Sequence, residues 1–204
     1  MNTIELKNVS FSYGHNEVIK NINMQFDKGK MHVVFGPSGS GKTTILALIG
    51  GLDTPTEGRI LFEDKDIATE IGLERYRREN VSFIFQNYNL IEYLNAIENV
   101  RLVSKDSDPY VFLENVGITR TESKRNILKL SGGEQQRVAI ARALASERDI
   151  ILADEPTGNL DNENARTVLG LLCGAAKKYD KCVIVASHWD EFKEVADSVY
   201  KLTK

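Results

Sequence analysis

Residues 36–43 form a glycine-rich segment that ends in a lysine and a threonine, a composition suited to holding phosphate groups. The segment fits the pattern G-x-x-x-x-G-K-[ST], with an apolar strand expected before it and a helix after it. Glycines let the backbone wrap closely around phosphates, and the helix N-terminus favours an anion. Lys42 is expected to pair with the β and γ phosphates, and the Thr43 hydroxyl to hold Mg²⁺.

The alternative reading of this segment is a Gly/Ser-rich loop with an unrelated lysine. The flanking strand and helix favour the phosphate site. The residues predicted to bind the nucleotide here are Gly36, Pro37, Ser38, Gly39, Ser40, Gly41, Lys42, Thr43 and Thr44.

Two adjacent carboxylates, Asp154 and Glu155, follow the apolar residues 150–153. A buried strand would carry them to its C-terminal end, where α/β proteins bind their ligands. Neighbouring strand residues point to opposite faces, so Asp154 can serve Mg²⁺ while Glu155 acts on an attacking water. The alternative is an acidic pair that caps a turn before Pro156. The position of the pair beside a phosphate site favours the catalytic interpretation.

A second glycine-containing segment, residues 130–137, precedes the acidic pair. Ser131, Gly132 and Gly133 open an apolar helix, and backbone N–H groups at a helix N-terminus attract anions. The chain already has a complete phosphate site at residues 36–43. A second anion site therefore suggests that two chains share each nucleotide and that the protein works as a pair.

Short apolar strands alternate with helices along the chain, as in an α/β core. Strands are predicted over residues 4–13, 30–35, 59–62, 81–85, 150–153 and 182–186, and a helix over 43–50. The alternation suggests parallel strands with helical crossovers. Residues 87–148 are helix-rich and charged, with no convincing strand, and are the candidate for an inserted helical lobe.

Composition excludes several classes of protein. A net charge of −3 in 204 residues gives no general attraction for nucleic acid, so no nucleic-acid partner is expected. Cys173 and Cys182 lack metal-ligand spacing and are read as packed, reduced thiols in the cytosol. No apolar run approaches the roughly 18 residues of a membrane-spanning helix, so another chain must supply any membrane part.

The order of these motifs resembles that of the ATP-binding subunits of ATP-binding cassette (ABC) transporters, along essentially the whole chain. The resemblance makes residues 36–43 the phosphate loop and residues 130–134 the signature segment. It also implies that Tyr13 stacks on adenine and that Asp161 lies in a loop of the dimer interface.

Two more residues take a role from the resemblance. Gln86 would join the core to the helical lobe and is placed among the catalytic and Mg²⁺-binding residues, and His188 would contact the γ-phosphate. Without the resemblance, Tyr13 could be a strand-end aromatic, Gln86 a polar strand cap, and His188 a core histidine. The predicted catalytic set is Glu155, His188, Lys42 and Gln86, and the predicted metal set is Thr43, Gln86 and Asp154.

The resemblance also implies an α/β fold in which a P-loop NTPase (RecA-like) core carries antiparallel β edge strands and an inserted helical subdomain. Residues 1–204 would form one ABC nucleotide-binding domain. Its core would comprise residues 1–86 and 149–204, and its helical subdomain about residues 87–148.

Residues 50–58 and 152–161 resemble one branch of the family, which includes macrolide exporters, lipoprotein-releasing systems and cell-division systems. Small bacteriocin-export ATPases are also similar. Two departures from the pattern are Glu134, where glutamine is common, and Trp189, where aspartate is common.

The branch implies an ATPase that powers export or extraction of a peptide, a lipoprotein or an antibiotic. ATP and Mg²⁺ would be its cofactors, a homodimer would form on ATP binding, and integral membrane permease subunits would be partners. The protein would lie in the cytoplasm, on the inner face of the membrane. The alternatives are a non-transport ABC ATPase and a nucleotide-dependent regulatory module.

Overall fold

The structure, a computed structural model, describes residues 2–104 and 106–203. In chain order, its strands are β1 Asn2–Tyr13, β2 Asn16–Asp27, β3 Met31–Phe35, β4 Glu57–Phe62, β5 Lys65–Asp66, β6 Val81–Ile84, β7 Ile150–Asp154, β8 Cys182–Ser187 and β9 Ser198–Lys201. Its α-helices are α1 Lys42–Ile49, α2 Leu73–Asn80, α3 Ala96–Arg101, α4 Pro109–Asn115, α5 Arg120–Ser123, α6 Gly132–Ala145, α7 Asn162–Tyr179 and α8 Glu191–Val195. A π-helical turn at Ile67–Ile71 and a 3-10 turn at Ile127–Lys129 complete the helical elements.

A five-stranded parallel sheet forms the centre of the molecule, in the order β6-β7-β8-β3-β9. Its central strands are almost uninterrupted runs of buried apolar residues, as expected when both faces of a parallel sheet are covered. Val33 and Val183 pack into one core, whereas Val34 and Ile184 pack into another on the opposite face. Because the strands are parallel, the loops that follow β3, β7 and β8 meet at one edge of the sheet.

A second, antiparallel sheet has the order β2-β1-β4-β5. Together the two sheets and their helices confirm the predicted α/β class with antiparallel strands outside the parallel core. The expectation of parallel strands was wrong for residues 4–13 and 59–62, because they belong to β1 and β4, which pair antiparallel with each other. Strands β2 and β9 had no counterpart among the predicted elements.

Residues 96–145 carry the helices α3 to α6. The sequence shows no convincing strand in residues 87–148. Within the described part of this range, the β pairing is limited to an isolated bridge between Asn95 and Asn126. Helices α3, α4 and α6 pack into the core on one face of the parallel sheet. The division into a core and a helical subdomain stays a prediction. None of the helices in the described residues combines the length and apolar character needed to cross a bilayer.

Tyr76 of α2 supports the helix that follows the phosphate loop. Its side chain is fully buried, and its hydroxyl donates a 3.0 Å hydrogen bond to the carbonyl of Ile49, the last residue of α1. Carbonyl groups in the last turn of a helix lack partners within the helix, so this bond satisfies one of them. The phosphate-loop helix is therefore held at its C-terminal end by a buried side chain.

We expect Tyr76→Phe to lower the free energy of unfolding by about 1–3 kcal/mol, because it leaves a buried carbonyl without a donor. Urea denaturation followed by circular dichroism measures the change. Tyr93→Phe is the matched control, since Tyr93 is 82% exposed and should change the same quantity by less than about 0.5 kcal/mol. Equal stabilities of Tyr76→Phe and the unmodified protein would contradict this role for the hydroxyl.

Candidate active site

The phosphate loop connects β3 to α1 and has the shape of a narrow cradle. Gly39 and Gly41 have φ values of +78° and +92°, in the region that side chains other than glycine rarely adopt. At Gly36, an added Cβ would lie 2.6 Å from the hydroxyl oxygen of Ser40 and 2.9 Å from the carbonyl oxygen of Leu202. The loop therefore needs glycine at these positions for both its conformation and its close packing.

Lys42 is the first residue of α1, and its side chain turns back into this loop. Its side chain is only 6% exposed, and Nζ donates hydrogen bonds to the carbonyl oxygens of Gly36 at 2.8 Å and Pro37 at 3.1 Å. Nζ also lies 3.2 Å from Oε1 of Glu155. The loop backbone thus holds a buried ammonium group at the point where the sequence predicts phosphates.

Asp154, at the end of β7, faces the first turn of α1. The hydroxyl of Thr43 donates to its Oδ1 at 3.2 Å. Burial raises the pKa of Asp154, and the charge of Glu155 adds to the rise, while the Thr43 hydrogen bond and Lys42 oppose it. A carboxylate with a raised pKa is stabilised by a bound cation, so this pair suits a metal ion.

Glu155 joins the phosphate loop to His188. Its Oε1 pairs with Lys42, and its Oε2 lies 3.0 Å from Nδ1 of His188. Its φ of +44° is in the left-handed region, a backbone strain that is concentrated at functional sites. His188 follows β8 and is exposed, and the next residue, Trp189, packs edge-on against Phe192 with ring centroids 5.6 Å apart. The structure thus brings Lys42, Thr43, Asp154, Glu155 and His188 into one cluster.

Gln86 forms its side-chain hydrogen bond with Asn159. Its side-chain amide donates to Oδ1 of Asn159 at 3.2 Å, and the Asn159 amide donates to the Gln86 carbonyl at 3.2 Å. Within the described residues, no hydrogen bond joins Gln86 to Thr43 or Asp154. Its catalytic and metal-binding roles therefore stay predictions.

Tyr13 ends β1 and is 55% exposed, with its ring packed edge-on against Phe11 at 4.8 Å between centroids. The adjoining strand β2 contacts the phosphate loop, because a Cβ at Gly41 would lie 2.7 Å from Cδ1 of Ile19. The hairpin of β1 and β2 thus carries an exposed aromatic ring beside the loop.

The signature segment caps helix α6. The Ser131 hydroxyl accepts from the backbone N–H of Glu134 at 3.3 Å, and the Glu134 carboxylate accepts from the N–H of Ser131 at 2.6 Å, which is a reciprocal capping box. Neither residues 131–133 nor Asp161 forms a hydrogen bond with the phosphate loop among the described contacts. Within one chain, therefore, these predicted site residues do not bond to the phosphate loop.

Asp161 caps helix α7. Its Oδ1 accepts from the backbone N–H groups of Glu163 and Asn164, each at 3.0 Å, and its Oδ2 accepts from the side-chain amide of Asn164 at 2.7 Å. Hydrogen bonds from Asn164 lower the pKa of Asp161. The loop before α7 is thus fixed around an ionised carboxylate.

Three residues of this region were absent from the predicted site: Tyr88, Asn159 and Asn164. Asn159 bonds the Gln86 segment, and Asn164 bonds both Asp161 and Arg137 of α6, the latter at 3.2 Å. Asp161 is of a residue type that often caps a helix N-terminus, and this is the local sequence signal of the region. The contacts of Tyr88 and Asn159 join distant parts of the chain and carry no local signal.

The donor set of the cluster fits a nucleotide phosphate and a magnesium ion. The Ser40 hydroxyl is buried and has no hydrogen-bond partner in the described part of the chain, although it lies inside the cradle. Thr43 and Asp154 offer the oxygen ligands that Mg²⁺ prefers. Among the described residues, no group of three or more His, Cys, Asp or Glu side chains that could hold a metal occurs.

Comparison with known proteins gives a consistent result. The family model described as ABC transporter matches residues 19–158. A Bacillus subtilis protein, the uncharacterized ABC transporter ATP-binding protein YclH, is 39% identical over all of this chain and 95% of its own length. The macrolide export ATP-binding/permease protein MacB of Campylobacter jejuni is 41% identical over 83% of this chain, which is 28% of that relative.

The lipoprotein-releasing system ATP-binding protein LolD 2 of Chlorobaculum tepidum is 36% identical over 89% of this chain and 79% of its own length. Among solved structures, a dimeric post-hydrolysis state of the ATP-binding cassette MJ0796 bound to ADP and Pi superimposes with a TM-score of 0.86. Its sequence is 34% identical to this one, and the superposition covers 98% of this chain and 94% of that chain.

Proposed function

Because this chain belongs to the ABC transporter family, in which it is an ATP-binding and ATP-hydrolysing subunit, we propose that the phosphate loop and the acidic pair together cleave ATP. The observation that carries the proposal is the contact of Glu155 with both Lys42 and His188. A carboxylate, a buried ammonium and an imidazole here converge on one point beside a glycine cradle. Such a cluster can hold a terminal phosphate and orient a water against it.

Each residue of the cluster has a separate task in this proposal. Lys42 and the loop N–H groups neutralise the β and γ phosphates as negative charge shifts toward the leaving oxygen. Glu155 accepts a proton from the attacking water, and His188 donates a hydrogen bond to the γ-phosphate. Thr43 and Asp154 would hold Mg²⁺, which when bound neutralises phosphate charge. Gln86 would sense the occupied site from the adjoining segment.

Two chains are proposed to complete each site. The phosphate loop of one chain holds ATP, with adenine on Tyr13, and the signature segment of the other chain covers the phosphates. In this arrangement ATP becomes part of the interface between the two chains. ATP binding therefore favours the dimer, and ATP hydrolysis allows the two chains to separate. Asp161 would lie in that interface.

The proposed partner is an integral membrane permease, which would hold the subunit on the cytoplasmic face of the membrane. Support comes from relatives named as a macrolide exporter and a lipoprotein-releasing system. The proposed cargo is a peptide, a lipoprotein or an antibiotic, and ATP hydrolysis would drive its export or extraction. The Gln86 segment would transmit motion between the two proteins.

A bulky residue at Ser131 tests the shared site. In a Glu155→Gln background, we expect light scattering to detect a dimer that needs ATP and Mg²⁺, and Ser131→Arg to abolish it. ATP affinity of the monomer should stay within about threefold, since Ser131 belongs to the partner's site. Loss of the helix cap costs about 1 kcal/mol, so the thermal midpoint of each variant is recorded as well.

The matched control is Thr121→Arg, on the exposed surface of α5, which should leave the ATP-dependent dimer intact. A parent protein that stays monomeric with ATP would contradict dimerisation of the isolated chain. A Ser131→Arg monomer that no longer binds ATP would contradict the sharing of the site between chains.

A further inference from the structure

The two glycines of the signature segment, Gly132 and Gly133, begin α6 with ordinary helical backbone. Neither has a positive φ, so any residue could adopt their backbone conformation. A requirement for glycine must therefore come from what lies beside the missing Cβ atoms. The structure places a side chain from a different segment of the same chain against each of them.

Gly132 faces the hydroxyl of Tyr88, two residues after Gln86. A Cβ at this glycine would lie 2.7 Å from the hydroxyl oxygen of Tyr88 and 3.7 Å from the ring carbon that bears it. The first distance is a collision, whereas the second is ordinary contact. A Cβ at Gly132 would therefore force the Tyr88 hydroxyl to move.

The backbone of Tyr88 is fixed by the same helix that Gly132 begins. Tyr88 and Asn89 have φ values of +59° and +49°. This left-handed conformation costs free energy and persists only where the surrounding structure imposes it. The half-buried guanidinium of Arg142, on α6, donates to the carbonyl oxygen of Asn89 at 2.8 Å and to that of Tyr88 at 3.4 Å. Helix α6 thus contacts the Gln86 segment at two points, one at its N-terminus and one two to three turns further along.

Gly133 faces Asn164, near the start of α7. A Cβ at this buried glycine would overlap the side-chain amide of Asn164. The same amide accepts from Arg137 at 3.2 Å through its oxygen and donates to Asp161 at 2.7 Å through its nitrogen. One asparagine therefore spans the gap between the signature helix and the loop that carries Asp161.

We infer that Tyr88 and Asn164 are positioning residues, which set the place of the signature segment relative to the Gln86 and Asp161 segments. The inference rests on the proposed function, in which the signature segment covers the ATP of the partner chain. Glycine is needed at positions 132 and 133 because a side chain of the same chain lies where a Cβ atom would be. A movement of the Gln86 segment then displaces the signature segment directly, through the contact of Tyr88 with Gly132.

Suppression by a second substitution tests this contact. Gly132→Ala should lower the maximal rate of ATP hydrolysis by about 10²-fold, the cost of displacing an aligned group by about 1 Å. Tyr88→Phe removes the colliding oxygen, so Gly132→Ala combined with Tyr88→Phe should recover to within about threefold of Tyr88→Phe alone. If the combined variant is as slow as Gly132→Ala, the glycine serves the phosphate alone and the inference is overturned.

A measurement without ATP separates this inference from the proposed function. In amide hydrogen exchange, Gly132→Ala should exchange about tenfold faster at residues 131–137, and Tyr88→Phe should restore protection in the combined variant. Unchanged exchange in Gly132→Ala, or faster exchange that Tyr88→Phe does not reverse, would overturn the inference. A protein that hydrolyses no ATP but shows the restored protection would instead count against the proposed function.

The second contact is tested by Asn164→Asp, which keeps the shape of the side chain but sets a carboxylate oxygen against Asp161. We expect a hydrolysis rate reduced by about tenfold or more and an unchanged ATP affinity of the monomer, because like charges at this distance repel. Asn162→Asp, one residue into α7 and exposed, is the matched control and should hydrolyse ATP at the rate of the unmodified protein. Equal rates of ATP hydrolysis in Asn164→Asp and Asn162→Asp would contradict the positioning role of Asn164.

Discussion

Replacing Glu155 with glutamine is expected to reduce ATP hydrolysis by about 10²–10⁴-fold, which is the usual contribution of a positioned general base. The amide keeps the size of the side chain but cannot take a proton from water. Phosphate release under single-turnover conditions measures the effect. ATP affinity, measured separately by equilibrium binding, should stay within an order of magnitude of that of the unmodified protein.

The environment of Glu155 explains why binding should survive this change. Its side chain is 16% exposed and contacts Lys42 through one oxygen and His188 through the other. The glutamine amide oxygen can still accept from one of these partners, and Lys42 keeps its two hydrogen bonds to the loop carbonyls. Nucleotide binding depends on the loop, whereas proton transfer depends on the carboxylate.

Glu114→Gln is the matched control, because this carboxylate forms an exposed ion pair with Arg120 on the helical part of the chain. It should hydrolyse ATP at an unchanged rate. Full activity in Glu155→Gln would mean that another group acts as the base, and the role given to Glu155 would be wrong.

Replacing Lys42 with methionine is expected to weaken ATP binding by about 10–10²-fold, since a hydrogen bond to a charged group contributes about 1.5–3 kcal/mol. Methionine keeps the apolar stem that the loop encloses but removes the ammonium that faces the phosphates. Isothermal titration with ATP measures the affinity. Hydrolysis should fall further still, because negative charge develops on the leaving oxygen in the transition state, and Lys42 is proposed to stabilise that charge more than the charge of ground-state ATP.

Lys178→Met gives the comparison, because Lys178 lies on the exposed face of α7, away from the cluster. The two variants remove the same charge from the whole protein, so a difference between them reports on position. Thermal unfolding identifies any loss of folding in Lys42→Met, where the carbonyls of Gly36 and Pro37 lose the Lys42 ammonium and the Pro37 carbonyl keeps the N–H of Ser40. Equal ATP affinities in both variants would contradict the phosphate contact.

Three of the strands that the sequence predicted are buried on both faces. Strands β3, β7 and β8 are nearly continuous apolar runs, and their amino-acid composition alone indicates a parallel core. Strands β2 and β9 lie at the edges of their sheets and have mixed burial, so polar residues interrupt the apolar pattern. Their pairing depends on neighbouring strands, which a local pattern does not contain.

The candidate site shows the same division. The phosphate loop and the acidic pair are local sequence patterns, and the structure places Lys42, Thr43, Asp154 and Glu155 close together. His188 joins them from a separate strand, and only family resemblance indicated its role. Asn159 and Asn164 were missed because each acts by bonding a segment that is distant in the sequence. The roles of all these residues in hydrolysis stay predictions.

Trp189, the only tryptophan among the 204 residues, follows His188 directly and rests its ring against Phe192. Indole fluorescence responds to the polarity and packing around the ring, so its emission depends on how the loop after β8 is arranged. In most proteins an optical signal from such a loop requires a dye attached by chemistry or mutation. Here the chain carries its own spectroscopic probe one residue from the proposed γ-phosphate contact, so a rearrangement of this loop can be followed by fluorescence in the unmodified protein.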